Sequence, residues 1–161
     1  MKKVICALAF LAAAGACHSG ATMTPAPSPA PARRPATPTG STTGAADSQG
    51  AVLGFLAAVK NQDLQAMSNY WGDKQGLARD RYPVVELNQR EILMMCYLKH
   101  DSAQILSDAP SAGGGRTTTV QLRNGSLTAS TNFLTVTGPD GRWYVLSVPD
   151  IAALQRSCSG R

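Results

Sequence analysis

The sequence predicts an α+β fold, with N-terminal helices packed on a curved antiparallel sheet of about four strands. Three observations predict it. Apolar residues before position 98 recur at helical spacing. After His100 the period changes to two and β-branched residues become frequent. Two turn signals, Asn124-Gly125 and Gly138-Pro139-Asp140-Gly141, then divide the alternating stretch. The strands carry too little apolar surface on both faces for a parallel sheet, which is normally covered on both sides.

Each element has its own local reason. Ser48 is placed to cap a first helix, in which Val52, Phe55, Leu56 and Val59 fall on one stripe. Asn61-Gln62-Asp63 breaks it, and Asp63 caps a second, short helix with Leu64, Met67 and Tyr70 or Trp71 as its apolar face; Gly72 ends it. Residues 72–83 read as a loop with a short strand or helical turn. A third helix follows over Val84–Leu98, with Val85, Ile92 and Cys96 on one stripe. Strands are expected over Ala103–Ser107, Arg116–Arg123, Leu127–Thr137 and Arg142–Val148. Pro110–Gly115 reads as a loop, and Asp63, Asp73, Asp80 and Asp108 are expected at caps or in loops. Asp150 is expected to cap a last helix over Ile151–Ser157.

Ahead of this domain the composition changes twice. Met1-Lys2-Lys3, the apolar run Val4–Leu11 and the small residues Ala12–Ala16 have the layout of a secretory signal peptide, so residues 1–16 are expected to be removed. The run is shorter than the roughly 20 residues a membrane span needs. Ala14-Gly15-Ala16-Cys17 resembles the lipobox of bacterial lipoproteins, although Ala14 stands where Leu is usual. That resemblance implies diacylglyceryl transfer to Cys17 and anchoring in the cell envelope. The alternative is ordinary signal cleavage after Ala16. His18, in place of an Asp, points to the outer membrane facing the periplasm if the source is Gram-negative. Residues 17–46 then form a Pro/Ala/Thr-rich tether. From 18 to 46 it holds six of the ten prolines and cannot bury a core. Fully extended it would reach roughly 90 Å. The globular domain is expected over 47–161.

Charge and cysteines exclude several functions. The chain carries +5 overall, but from Asp47 onward three Lys and eight Arg face eight Asp and two Glu, a net +1. No basic stripe with interleaved aromatics is present, so no nucleic-acid partner is expected. No Cys-x-x-Cys pattern supports zinc or redox catalysis, and neither cofactor nor metal is expected. Once Cys6 leaves with the signal and Cys17 is lipidated, Cys96 and Cys158 remain as a pair in an exported chain, which favours a disulfide.

The helical pair AVLGFLAAVKNQDLQAMSNYW, the third helix ending MMCYLKHDS and the meander closing on DGRWYVLSV together resemble the nuclear transport factor 2-like superfamily. The likeness covers residues 48 to about 150 and is nearest to its small bacterial lipoproteins of unassigned function. It implies a cone in which sheet and helices enclose a pocket, and it makes a homodimer through the sheet face an option. Some members are isomerases or dehydratases with an acid or His in the cone, but no such catalytic residue carries over to this chain. The function expected is therefore binding, without catalysis, of a small apolar ligand or an envelope protein. The alternative is a small acid-base enzyme working in the cone. Tyr70, Trp71, Phe133, Trp143 and Tyr144 are candidate contacts, each of which could equally be core. His100 beside Asp101 is the only His-acid neighbourhood of the domain, although both types are ordinary at a helix end.

Overall fold

The structure, a computed structural model, describes residues 43–154 and Cys158. The expected signal peptide, Cys17 and the expected tether up to residue 42 lie outside the described residues, as do residues 155–157 of the helix expected over Ile151–Ser157, whose first part is a 3-10 turn. Three α-helices precede a four-stranded antiparallel sheet, so the α+β fold is as the sequence predicts. The helices are α1 (Ser48–Asn61), α2 (Leu64–Ser68) and α3 (Val84–Tyr97). A ribbon of β1 (Gly72–Asp73) and β2 (Gly76–Leu77), then a 3-10 turn at Ala78–Asp80, join α2 to α3. The sheet runs in chain order, β3 (Ser102–Ser111), β4 (Gly115–Asn124), β5 (Leu127–Thr137) and β6 (Trp143–Ser147). No helix among the described residues is long and apolar enough to cross a membrane.

The helix α1 forms where its stripe places it. Val52, Phe55, Leu56 and Val59 are all buried against the sheet. Its cap is Asp47 rather than Ser48: the Asp47 carboxylate accepts from Gly50 N at 2.7 Å, which satisfies an otherwise orphaned helical N–H. Ser48 is instead the first helical residue and is buried. The chain leaves α1 through Gln62, the one described non-glycine residue at positive φ (57°). Asp63 caps α2 as expected, accepting from Ala66 N at 2.9 Å. That helix ends at Ser68, before Gly72.

The face of α3 is the main correction. Val85 is 70% and Ile92 54% exposed, so the expected Val85-Ile92-Cys96 stripe points away from the core. The buried positions are Leu87 and Glu91, followed by Leu98 just past the helix. They share a face by i, i+4 spacing, with Met94 partly buried against the core.

In the sheet, β3 continues through Asp108 and Pro110 to Ser111. These residues are strand and not loop. A proline is tolerated there because β3 is an edge strand, so the missing N–H breaks no ladder. Asn124 pairs with Leu127, which makes Gly125 and Ser126 the central turn residues, one later than expected. Only Gly125 has positive φ (58°), as a turn with Gly at its first central position needs. Bulges interrupt the ladders between Ile105 and Ser107 and between Leu134 and Thr135. Asp150 accepts from Asn132 Nδ2 at 3.2 Å beside a 3-10 turn at Ile151–Leu154.

The fold also begins ahead of the expected boundary at 47. Ala45 exchanges backbone hydrogen bonds with Trp143, and the Arg142 guanidinium donates to Thr43 O and Gly44 O. Cys96, in the last turn of α3, is joined to Cys158 by a disulfide with Cα atoms 5.0 Å apart.

Candidate functional site

The space between α1 and the sheet is filled. Phe55, Phe133, Val120 and Met67 are each fully buried there, and the two phenyl rings meet edge to face at 6.4 Å. The pocket implied by the resemblance does not open between these groups. A cleft of about 430 Å³ opens instead at the β6 side of the domain. Trp71 and Asp73 border it from the ribbon, Arg81 and Tyr82 from the connection to α3, and Leu93, Met94 and Tyr97 from α3 itself. Leu146, Val148 and Ile151 close the remaining side.

Local structure explains why these residues meet. Trp71 pairs in parallel with Val145, and Val145 N donates to Tyr70 O at 2.8 Å, which fastens the ribbon to β6. Gly72 is required next to it, because a Cβ there would lie 2.5 Å from Gly76 O. Tyr82 stacks on Trp71, with centroids 6.0 Å apart and planes inclined 17°. The Arg90 guanidinium lies 5.0 Å above the Tyr82 ring, a cation-π contact. Arg81 donates to Asp73 Oδ2 at 2.5 Å and Gln75 Oε1 at 2.8 Å. Arg90 donates through two nitrogens to Glu86 Oε1, one turn earlier on α3. The result is an apolar trough with an aromatic shelf and two positioned guanidinium groups.

Of the candidate contact residues named from sequence, only Trp71 lines this cleft. Phe133 and Tyr144 are core, 0% and 2% exposed, and present no surface to a ligand. Tyr144 Oη donates to Asp140 Oδ2 at 2.5 Å, which holds that carboxyl below its ordinary value. Tyr70 packs against the core, and a Cβ at Gly54 of α1 would run into its ring. Trp143 is half-buried beside Ala45. His100 is buried near a different cleft, with Nδ1 donating to Leu98 O at 2.8 Å. The Asp101 carboxylate accepts instead from Gly125 N, and its backbone carbonyl from Lys60 Nζ, so the two neighbours form no acid-base pair. Sequence reasoning missed Tyr82, Tyr97, Arg81 and Arg90.

Two acids have informative surroundings. Ser48 Oγ lies 3.1 Å from Asp108 Oδ1, 3.0 Å from Thr118 Oγ1 and 2.9 Å from Thr135 Oγ1. Arg116 Nε donates to the other Asp108 oxygen at 2.7 Å. Burial pushes the Asp108 carboxyl up, and the hydrogen bonds from Arg116, Thr118 and Ser48 together outweigh it, leaving it low. The cluster pins the start of α1 to the sheet. Glu91 is the opposite case. It is fully buried, Oε1 lies 2.7 Å from Ser68 Oγ, and Oε2 has no hydrogen-bond partner among the described residues. Burial raises its pKa, with the Ser68 bond opposing. Ser68 Oγ also lies 3.0 Å from Leu64 O, so its single proton is shared between that carbonyl and Glu91 Oε1.

A raised carboxyl makes stability fall as pH rises. The native state keeps a proton that the unfolded chain releases above its ordinary value of 4.5, so stability declines from there until the folded group ionises. Asp108 and Asp140, held low, slope the other way, and their stabilisation is lost as pH falls through 3.8 and below. Glu91→Gln is therefore expected to flatten the decline above pH 4.5 without touching the acid limb. Urea midpoints of both proteins across that range check it. Parallel profiles would mean Glu91 is ionised when folded.

No known protein family, curated protein or solved structure matches this chain. Its functional reading therefore rests on the cleft and on the sequence pattern.

Proposed function

We propose that this is a lipid-anchored protein of the cell envelope, attached through Cys17, whose domain binds a small apolar ligand without transforming it. The aromatic cleft carries this reading. Its volume of about 430 Å³ suits a small molecule, and Trp71, Tyr82, Tyr97, Leu93, Met94, Leu146, Val148 and Ile151 offer it apolar surface. The Met1–Cys17 pattern supports the anchor, and the order of helices and meander supports a nuclear transport factor 2-like domain. A protein partner is the second reading, favoured by Val84, Val85, Ile92 and Leu93, all more than half exposed on α3. An acid-base enzyme gains less support, because the acid lining the cleft, Asp73, is tied to Arg81.

The test is calorimetric titration of the chain with short-chain alcohols and small aromatic compounds. Saturable binding is expected, weakened about tenfold by Trp71→Ala, since a buried aromatic anchor carries at least 1.4 kcal/mol of binding. Absence of binding, or binding indifferent to Trp71, would reject the cleft as the site.

A further inference from the structure

The cleft has one feature that a purely apolar ligand leaves unused. Two guanidinium groups, Arg81 and Arg90, face one carboxylate, Asp73, among its lining residues. Each is already oriented, Arg81 by Asp73 and Gln75, Arg90 by Glu86 and the Tyr82 ring. A guanidinium has five N–H donors. Among the described residues, each of these two uses only two nitrogens, so donors remain at the mouth of the trough. Arg90 is the more available: its side chain is 50% exposed, and its bond to Glu86 is a surface i,i+4 pair that contributes little. A ligand oxyanion could take the place of Glu86 at small cost.

Resting on the apolar-ligand reading of this cleft, we propose that the ligand is an amphipathic anion. Its hydrocarbon or ring body lies along Trp71, Leu93, Met94 and Leu146, and its carboxylate or phosphate meets Arg90 and Arg81. Arginine suits both head groups because its planar fork can donate two parallel hydrogen bonds.

The experiment titrates the full chain, oxidised and in detergent-free buffer, with octanol, octanoate, octyl phosphate and octylammonium. Octanoate or octyl phosphate is expected to bind at least tenfold tighter than octanol, as a charge-assisted hydrogen bond implies, and octylammonium no tighter. Whichever anion is preferred separates a free carboxylate from a phosphate head group as the natural source. Arg90→Gln and Arg81→Gln should each narrow the ratio of anion to octanol affinity, whatever they do to octanol binding itself. Glu86→Gln, which removes the internal competitor, should raise anion affinity severalfold, a gain that misfolding cannot produce. Equal affinities for octanoate, octyl phosphate and octanol, or a preference that survives both arginine substitutions, would overturn the proposal while leaving the apolar site standing. No binding of any of the four would overturn the apolar site itself.

Discussion

Cys96→Ser, Cys158→Ser or reduction is expected to cost about 4 kcal/mol of stability and to lower the melting midpoint by roughly 15 °C. The bond joins residues 62 apart in sequence, so it closes a long loop that runs from the end of α3 through the entire sheet. Cross-linking of that kind acts chiefly on the unfolded chain, whose freedom it restricts. The native side has a stake as well. Leu154 is buried and Ile151 packs on the core, and Ile151 also closes one side of the cleft. Loss of the strap should therefore loosen the cleft and the global fold together. Thermal melts with and without reductant check the magnitude. A drop below 1 kcal/mol would mean that the tail frays locally and the core does not depend on it. A loss of that size would fit the proposed export of the chain, because disulfides persist in oxidising compartments.

Much of the framework was legible because its signals are local. The α1 stripe has one apolar face, and Val52, Phe55, Leu56 and Val59 could lie nowhere else. The run Leu127–Thr137 is bounded by a turn at each end, and its expected limits match the strand. Helix α3 was harder to orient because apolar residues surround it: Val84, Val85, Leu87, Ile92, Leu93 and Met94 leave no single stripe. Glu91 then marks the true inner face as polar. A charged residue at i+4 from a buried Leu87 is visible in sequence, but its burial depends on the partner Ser68, 23 residues away. Asp108 was misplaced for a similar reason. Pro110 normally breaks a strand, and only the edge position of β3 allows it. The cleft was the least legible part. Trp71, Arg81, Arg90 and Leu146 come from separate elements, and no spacing in the chain brings them together.

Phe133→Ala is expected to cost about 3–5 kcal/mol, comparable with loss of the disulfide. Phe133 lies on β5 opposite Thr118 of β4, on the sheet face that α1 covers, and is fully buried. Truncation removes a ring from a close-packed interior whose neighbours can collapse only partly, because Val120 is held in the ladder and Phe55 in the helix. Phe55→Ala should cost a similar amount from the other side of the same contact. The two changes should not add: the rings meet at 68°, an edge-to-face pair that contributes roughly 0.5–1.5 kcal/mol beyond area burial, so the double variant should fall short of the sum by about that much. Small domains retain only about 5–15 kcal/mol of stability, so the single variants must be measured by denaturant titration with the Cys96–Cys158 bond intact. A loss under 1 kcal/mol at Phe133 would show that α1 does not seat on the sheet through this ring. Strict additivity would show that the two rings reach the core separately. The expected coupling would make this aromatic contact the point where the helical layer is fixed to the sheet, and with it the filled interior that directs the proposed ligand site to the cleft beside β6.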